Sequence, residues 1–294
     1  MDSRIAEHWG LVPTPIGRRA EYHGPQQAEA LARLLYGVEQ GLTVVRLFGP
    51  VGSGKTWLQQ RLACELLGTG RQVATVSLAG REPAEWLLDL TLALQGATGP
   101  GESPAALWRA LADRVTGLQH LKRGVVVIAD QGEEASVESR QQLARLARLL
   151  ATRGTLVLVA TLTTSQAQPA ATDALAELID LPVPLPWLGP HEIGPCLAAC
   201  WRREPERASL ATPQACDRLH RATGGSLRRL GRLIPLCLAA GLAFDIETID
   251  AELVADVAEE LNPHRGLPSG LPSEPPADPA LVGLTPDSSA SSAV

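Results

Sequence analysis

Gly49-Pro50-Val51-Gly52-Ser53-Gly54-Lys55-Thr56 matches G-x-x-x-x-G-K-[ST] at every fixed position. Before it, residues 43–48 form a short apolar run rich in β-branched residues; after it, residues 57–67 have helical character. Strand, glycine-rich loop and helix is the order such a loop needs to hold phosphate. Glycines let the backbone pass close to an anion, successive N–H groups point inward, and the helix N-terminus adds partial positive charge. On this reading Gly49, Pro50, Val51, Gly52, Ser53, Gly54, Lys55 and Thr56, with the adjoining Trp57, are the nucleotide-binding residues. Lys55 reaches the β- and γ-phosphates, and Thr56 places its hydroxyl on Mg²⁺. The alternative is a glycine-rich turn that happens to carry Lys-Thr, and the flanking strand and helix argue against it. ATP and Mg²⁺ are the expected ligands.

Working outward, residues 71–78 read as a second strand and 83–95 and 104–120 as helices, with Ser103-Pro104 as a start signal. Residues 125–129 are apolar throughout and mostly β-branched, the mark of a strand buried on both faces. Helix 136–152 and the apolar strand 155–160 follow, and helix 26–40 precedes the loop, ended by Gly41. This alternation predicts an α/β fold, the three-layer parallel sheet of a P-loop NTPase. Residues 1–24 read as an irregular arm with a Trp9-Gly10 turn. Prolines cluster over 181–190, where a domain boundary is expected; beyond it only helices are legible, at 190–203, 213–222, 226–240 and 247–261. From residue 262 the chain is rich in Pro, Ser, Gly and Ala and reads as disordered. The expected division is 1–186 for the nucleotide-binding domain with its arm, 187–261 for a small all-helical lid, and 262–294 for a tail.

Asp130 ends the 125–129 strand, where a carboxylate can hold Mg²⁺ together with Thr56. ATPases of this architecture usually place a Glu next, to polarise the attacking water; here the residue is Gln131, which can orient water but cannot take its proton. Glu133 or Glu134 can substitute if the loop bends inward; a solvated loop pair is the preferred reading. Thr161, with Thr163 and Thr164 as alternates, follows the 155–160 strand, where a polar residue can sense the γ-phosphate or simply cap the strand end. Arg228 and Arg229 follow Gly224-Gly225-Ser226; Arg228 can fold back onto the γ-phosphate, the alternative being a solvated basic face continued by Arg232. The candidate catalytic set is Lys55, Asp130, Gln131, Thr161 and Arg228.

Composition narrows the class further. A net charge of −6 argues against a molecule-wide nucleic-acid field, though not against a local basic patch. Lys55 and Lys122 are the only lysines in a chain with 26 basic side chains. Cys64, Cys196, Cys200, Cys216 and Cys237 lie among apolar neighbours with no Cys-x-x-Cys pair. Cys196 and Cys200 are one helical turn apart but lack a second pair at zinc spacing, so buried reduced thiols are expected. Without an apolar leader or an 18-residue apolar run, a soluble, cytoplasmic protein with no membrane segment is expected.

With these residues in place, the chain resembles the AAA+ ATPases, and within them the ExeA-like (general secretion pathway protein A) group. The likeness runs from His8-Trp9-Gly10-Leu11 to about Leu261. It rests most on the segments PWLGPHEI, LATPQACDRLHRATGG and TGGSLRRLGRL. The resemblance implies that Arg228 is the sensor 2 arginine and Thr161 the sensor 1 residue. Leu227 stands where relatives carry proline, Gln131 where they carry glutamate, and 174–183 lacks the arginines that act in trans on a neighbour's nucleotide. The implied function is ATP binding with slow hydrolysis driving a lid or partner switch. A nucleotide-dependent binding module with hydrolysis largely lost is the second reading, and a small-molecule kinase the third. A homo-oligomer or a protein partner is expected, and the lid arginines at 202, 203, 207, 218, 221, 228, 229 and 232 leave DNA open as a partner.

Overall fold

The computed structural model describes residues 3–12, 22, 24–97, 101–152, 154–161 and 174–261. The 262–294 tail, Thr163 and Thr164 lie outside the described residues.

The strands are β1 (Val44–Gly49), β2 (Gln72–Ser77), β3 (Val125–Asp130), β4 (Gly154–Thr161) and β5 (Ile179–Pro184), in the order β2-β3-β4-β1-β5 and all parallel. The alternation of a strand buried on both faces is visible along β3. Val125, Val127 and Ala129 pack with α4 (Pro83–Ala93), α5 (Pro104–His120) and α6 (Val137–Leu150) on one side. Val126 and Ile128 pack with α2 (Pro25–Glu39) and α3 (Lys55–Leu67) on the other. The three layers expected from the strand–helix alternation are therefore present.

Register then fixes what stands at the carboxyl edge. Gly49 pairs with Thr161, and Ser77 pairs with Asp130, so the ends of four strands open on one edge. In open parallel sheets the crevice beyond this edge is where ligands bind.

Two elements correct the sequence reading. The proline cluster hides β5, which among the described residues pairs only with β1. Pro182 and Pro184 cannot donate to a ladder, and an edge strand leaves one side with no ladder to join. The Asp180 carboxylate accepts from the Thr43 and Val44 amides at 2.6 and 3.2 Å, beside the register shift between Val44 and Val45. The supposedly irregular arm contains α1 (Ser3–Trp9), closed by Gly10 at φ 58°. Trp9 has no exposed surface, and its indole N–H donates to the Leu238 carbonyl at 2.8 Å.

A third cluster of buried side chains joins α1 to α7 (Ile193–Cys200), α8 (Pro213–Thr223), α9 (Leu227–Ala243) and α10 (Ala251–Leu261). Thr212 and Ser226 cap α8 and α9 by accepting N–H bonds from Ala215 and Arg229. The predicted 190–203 helix is shorter, a single 3₁₀ turn at Pro190–Glu192 followed by α7. The predicted 247–261 helix begins only at Ala251. Among the described residues, no helix is long and apolar enough to cross a membrane.

Candidate functional site

The loop between β1 and α3 folds as its glycines require. Gly54 caps α3 in the left-handed region at φ 102°, so the helix begins at Lys55, two residues earlier than the apolar pattern suggested. Gly52 has φ 80° and serves a second purpose: a Cβ there would stand 2.4 Å from the Ser226 hydroxyl and 3.0 Å from the Arg228 Cβ. Glycine at this position thus admits the start of α9 onto the loop.

The Lys55 ammonium lies across the loop and donates to the Gly49 and Pro50 carbonyls at 2.9 and 3.0 Å. Burial holds its pKa below the ordinary lysine value, Arg228 adds to that, and Glu133 and Asp130 oppose it. Thr56, on the first turn of α3, is exposed toward the cavity described below.

Asp130 is tied at both carboxylate oxygens. Oδ1 accepts the Gln131 amide at 2.9 Å and Oδ2 accepts the Gln59 side-chain amide at 2.8 Å. Gln59, which the sequence reading missed, is 6% exposed on the inner face of α3 beside Leu58 and Leu62. A glutamine on an apolar helix face needs a polar partner, and that signal was legible. Gln131 has φ 61°, and its side-chain oxygen accepts the Ser77 hydroxyl at 2.6 Å. Glu133 is not the solvated loop residue expected: it is half-buried and accepts the Thr161 amide at 2.8 Å. Glu134 is exposed.

Two contacts bring the helical cluster onto the loop. The Trp187 indole donates to the Val51 carbonyl at 3.0 Å, and the Leu227 amide donates to the Gly52 carbonyl at 2.9 Å. The second needs a residue other than proline at position 227, because proline has no N–H to donate. Proline fits the first position of a helix, so Leu227→Pro is expected to keep α9 while losing about 1 kcal/mol of docking. Hydrogen exchange reads this as faster exchange of the loop amides at unchanged helicity; unchanged loop exchange would rule the bond out as a tether.

These groups face one cavity of about 780 Å³, within the size range of small-molecule sites. Lys55, Thr56, Asp130, Gln131, Thr161 and Arg228 line it, together with Tyr22, Gln27, Cys196, Cys200, Trp201 and Leu230. Gln27 is 2% exposed, and neither of its amide atoms has a partner among the described residues. A buried amide left this way is fitted to meet a polar ligand. Burial, with the Glu192 charge adding to it, pushes the Tyr22 phenol up to about 12.

The five cysteines form no disulfide, and Cys64 is exposed, against the expectation of burial. Its place on the outer face of α3 explains this: apolar neighbours in sequence point away from it around the helix. Cys196 and Cys200 share a hydrogen bond that raises the first thiol and, against burial, lowers the second.

The order of strands, the loop 49–56 and the helical cluster beyond β5 define the P-loop NTPase fold of the AAA+ class. Solved structures with this fold include the Aeropyrum pernix ORC2 protein in ADPNP and ADP complexes (17% identity, 85% of this chain and 72% of that one, TM-score 0.62). Cdc6p from Pyrobaculum aerophilum aligns at 16% identity over 88% of this chain and 71% of its own, with a TM-score of 0.63. The Thermotoga maritima RuvB Holliday junction branch migration motor aligns at 17% identity over 82% and 70%, with a TM-score of 0.54. No protein-family model matches the sequence, and no curated protein matches it.

Proposed function

We propose that the chain binds ATP with Mg²⁺ in this cavity and hydrolyses it slowly, as an AAA+ switch of the ExeA-like kind. The observation that carries the reading is a glycine-rich loop, its lysine and a strand-end aspartate at one edge of a parallel sheet, with Arg228 lining the same cavity. Residues 49–57 are read as the nucleotide-binding set, with Thr161 and Arg228 as the γ-phosphate sensors. Thr56 and Asp130 offer hard oxygen donors, the chemistry Mg²⁺ prefers, and each Asp130 oxygen keeps a lone pair beyond its one hydrogen bond. Bound there, Mg²⁺ supplies neutralisation of the phosphate charge. The boundary near residue 186 is kept between two units that move against each other, but α1, expected in the first unit, goes with the second because it packs on α9. The Leu227 and Trp187 bonds to the loop couple that motion to the nucleotide.

Calorimetry with ATP and Mg²⁺, followed by phosphate release on the same sample, tests the reading; no heat at millimolar nucleotide sinks it. A second test uses Cys200, which lines the cavity. Saturation to ten times Kd leaves about a tenth of sites open, so maleimide labelling of Cys200 should slow about tenfold. Cys64 outside the cavity should label at an unchanged rate; equal rates at Cys200 with and without ATP would place the nucleotide elsewhere.

A nucleotide-dependent binding module with hydrolysis lost is the second reading, favoured by the missing carboxylate at Gln131 and the absence of arginine from 174–183. A homo-oligomer, a protein partner and DNA remain the partner classes considered. The branch-migration motor among the structural neighbours gives DNA its support, and a salt-dependent DNA titration tests it. A cytoplasmic setting is proposed on the reduced thiols.

A further inference from the structure

The turn after β3 brings to the site a carboxylate that the residue next to Asp130 lacks. Gln131 cannot accept a proton from water, and its amide oxygen already accepts the Ser77 hydroxyl at 2.6 Å. Its left-handed backbone, φ 61°, leads into a 3₁₀ turn over Gly132–Glu134, where the Glu134 amide closes on the Gln131 carbonyl at 3.0 Å. Gly132 is pressed onto β4, and a Cβ there would stand 2.7 Å from the Leu158 Cδ1. The chain therefore doubles back over the sheet edge instead of running out to solvent. Glu133 lands over the end of β4, where Oε2 accepts the Thr161 amide at 2.8 Å. It lines the same cavity as Lys55, Asp130 and Arg228. Its charge reaches the ammonium that is read as the phosphate ligand.

Resting on the reading of this cavity as an ATP site, we propose that Glu133 is the general base of hydrolysis, displaced three residues from Asp130, with the Gln131 amide orienting the water. The water oxygen forms a bond to the terminal phosphorus while the bond from that phosphorus to the bridging oxygen breaks. The electron pair leaves on ADP, and the water proton passes to the Glu133 oxygen not engaged by Thr161. The proton is then released with phosphate.

Glu133→Gln is the discriminating variant, because its amide oxygen still accepts the Thr161 N–H while the basicity is gone. Phosphate release and ATP affinity are measured on wild type, Glu133→Gln, Gln131→Glu and Glu138→Gln, the last on the exposed face of α6. General-base loss is expected to slow Glu133→Gln by about 10²–10⁴-fold, with ATP affinity and thermal midpoint unchanged. Glu138→Gln should match wild type, and Gln131→Glu should gain little. Glu133→Gly, assayed with added formate, should recover part of its turnover if a carboxylate base is what was lost. Undiminished turnover in Glu133→Gln, a many-fold gain in Gln131→Glu, or a wild type that binds ATP without releasing phosphate would each overturn the assignment while leaving the ATP site standing. A wild type that binds no ATP removes the site and this role together.

Discussion

Lys55→Ala is expected to weaken ATP binding by about two decades or more, since hydrogen bonds to charged groups are worth about 1.5–3 kcal/mol each. The ammonium donates to two neutral carbonyls of its own loop, Gly49 and Pro50. Polyphosphate offers anionic oxygens in their place, and charge-assisted bonds are the stronger class. The half-buried setting sharpens the effect, because the same desolvation that lowers the lysine pKa raises the value of an anionic partner. The variant should lose the ATP-induced rise in thermal midpoint while its nucleotide-free midpoint moves little. Calorimetry showing wild-type affinity for Lys55→Ala would remove the loop from the binding site.

Trp9→Ala is expected to destabilise the helical cluster by about 3–5 kcal/mol, the usual range for deleting a buried aromatic side chain. Trp9 is fully buried and donates to the Leu238 carbonyl. It also fills the space beside Gly241, where a Cβ would stand 2.2 Å from the indole. Around it, the Arg203 guanidinium donates to the Trp9 carbonyl at 2.8 Å and stands 5.9 Å from the ring centroid. One side chain near the N-terminus thus ties α1 to α9 and to the segment after α7. Chemical unfolding followed by circular dichroism reads the loss as a lower midpoint; an unchanged midpoint would mean that α1 contributes nothing to the cluster. The converse substitution, Gly241→Ala, should destabilise by overpacking the same contact.

Much of this architecture was legible residue by residue. The 125–129 run reads as a strand buried on both faces because five consecutive apolar positions leave no face for water. The loop 49–56 reads as a phosphate cradle because few other uses demand glycine, lysine and threonine at that spacing. β5 was hidden because its prolines carry the signal of a breaker, and only its place at the sheet edge makes them harmless. α1 was hidden because seven residues are too few for periodicity to speak, and its stability comes from burying Trp9 in a partner more than two hundred residues away.

The site divides along the same line. The identities and chain order of Lys55, Thr56, Asp130, Thr161 and Arg228 come from local pattern, since each sits at a strand end or a helix start that its own neighbours specify. The roles of Gln59, Gln27 and Glu133 do not: each depends on a partner, or the want of one, that distant segments decide. Hydrophobic period and turn chemistry act over a few residues and so are written in the sequence. Where a carboxylate points, and whether an amide is satisfied, depends on how separate elements pack, and only the tertiary structure settles that.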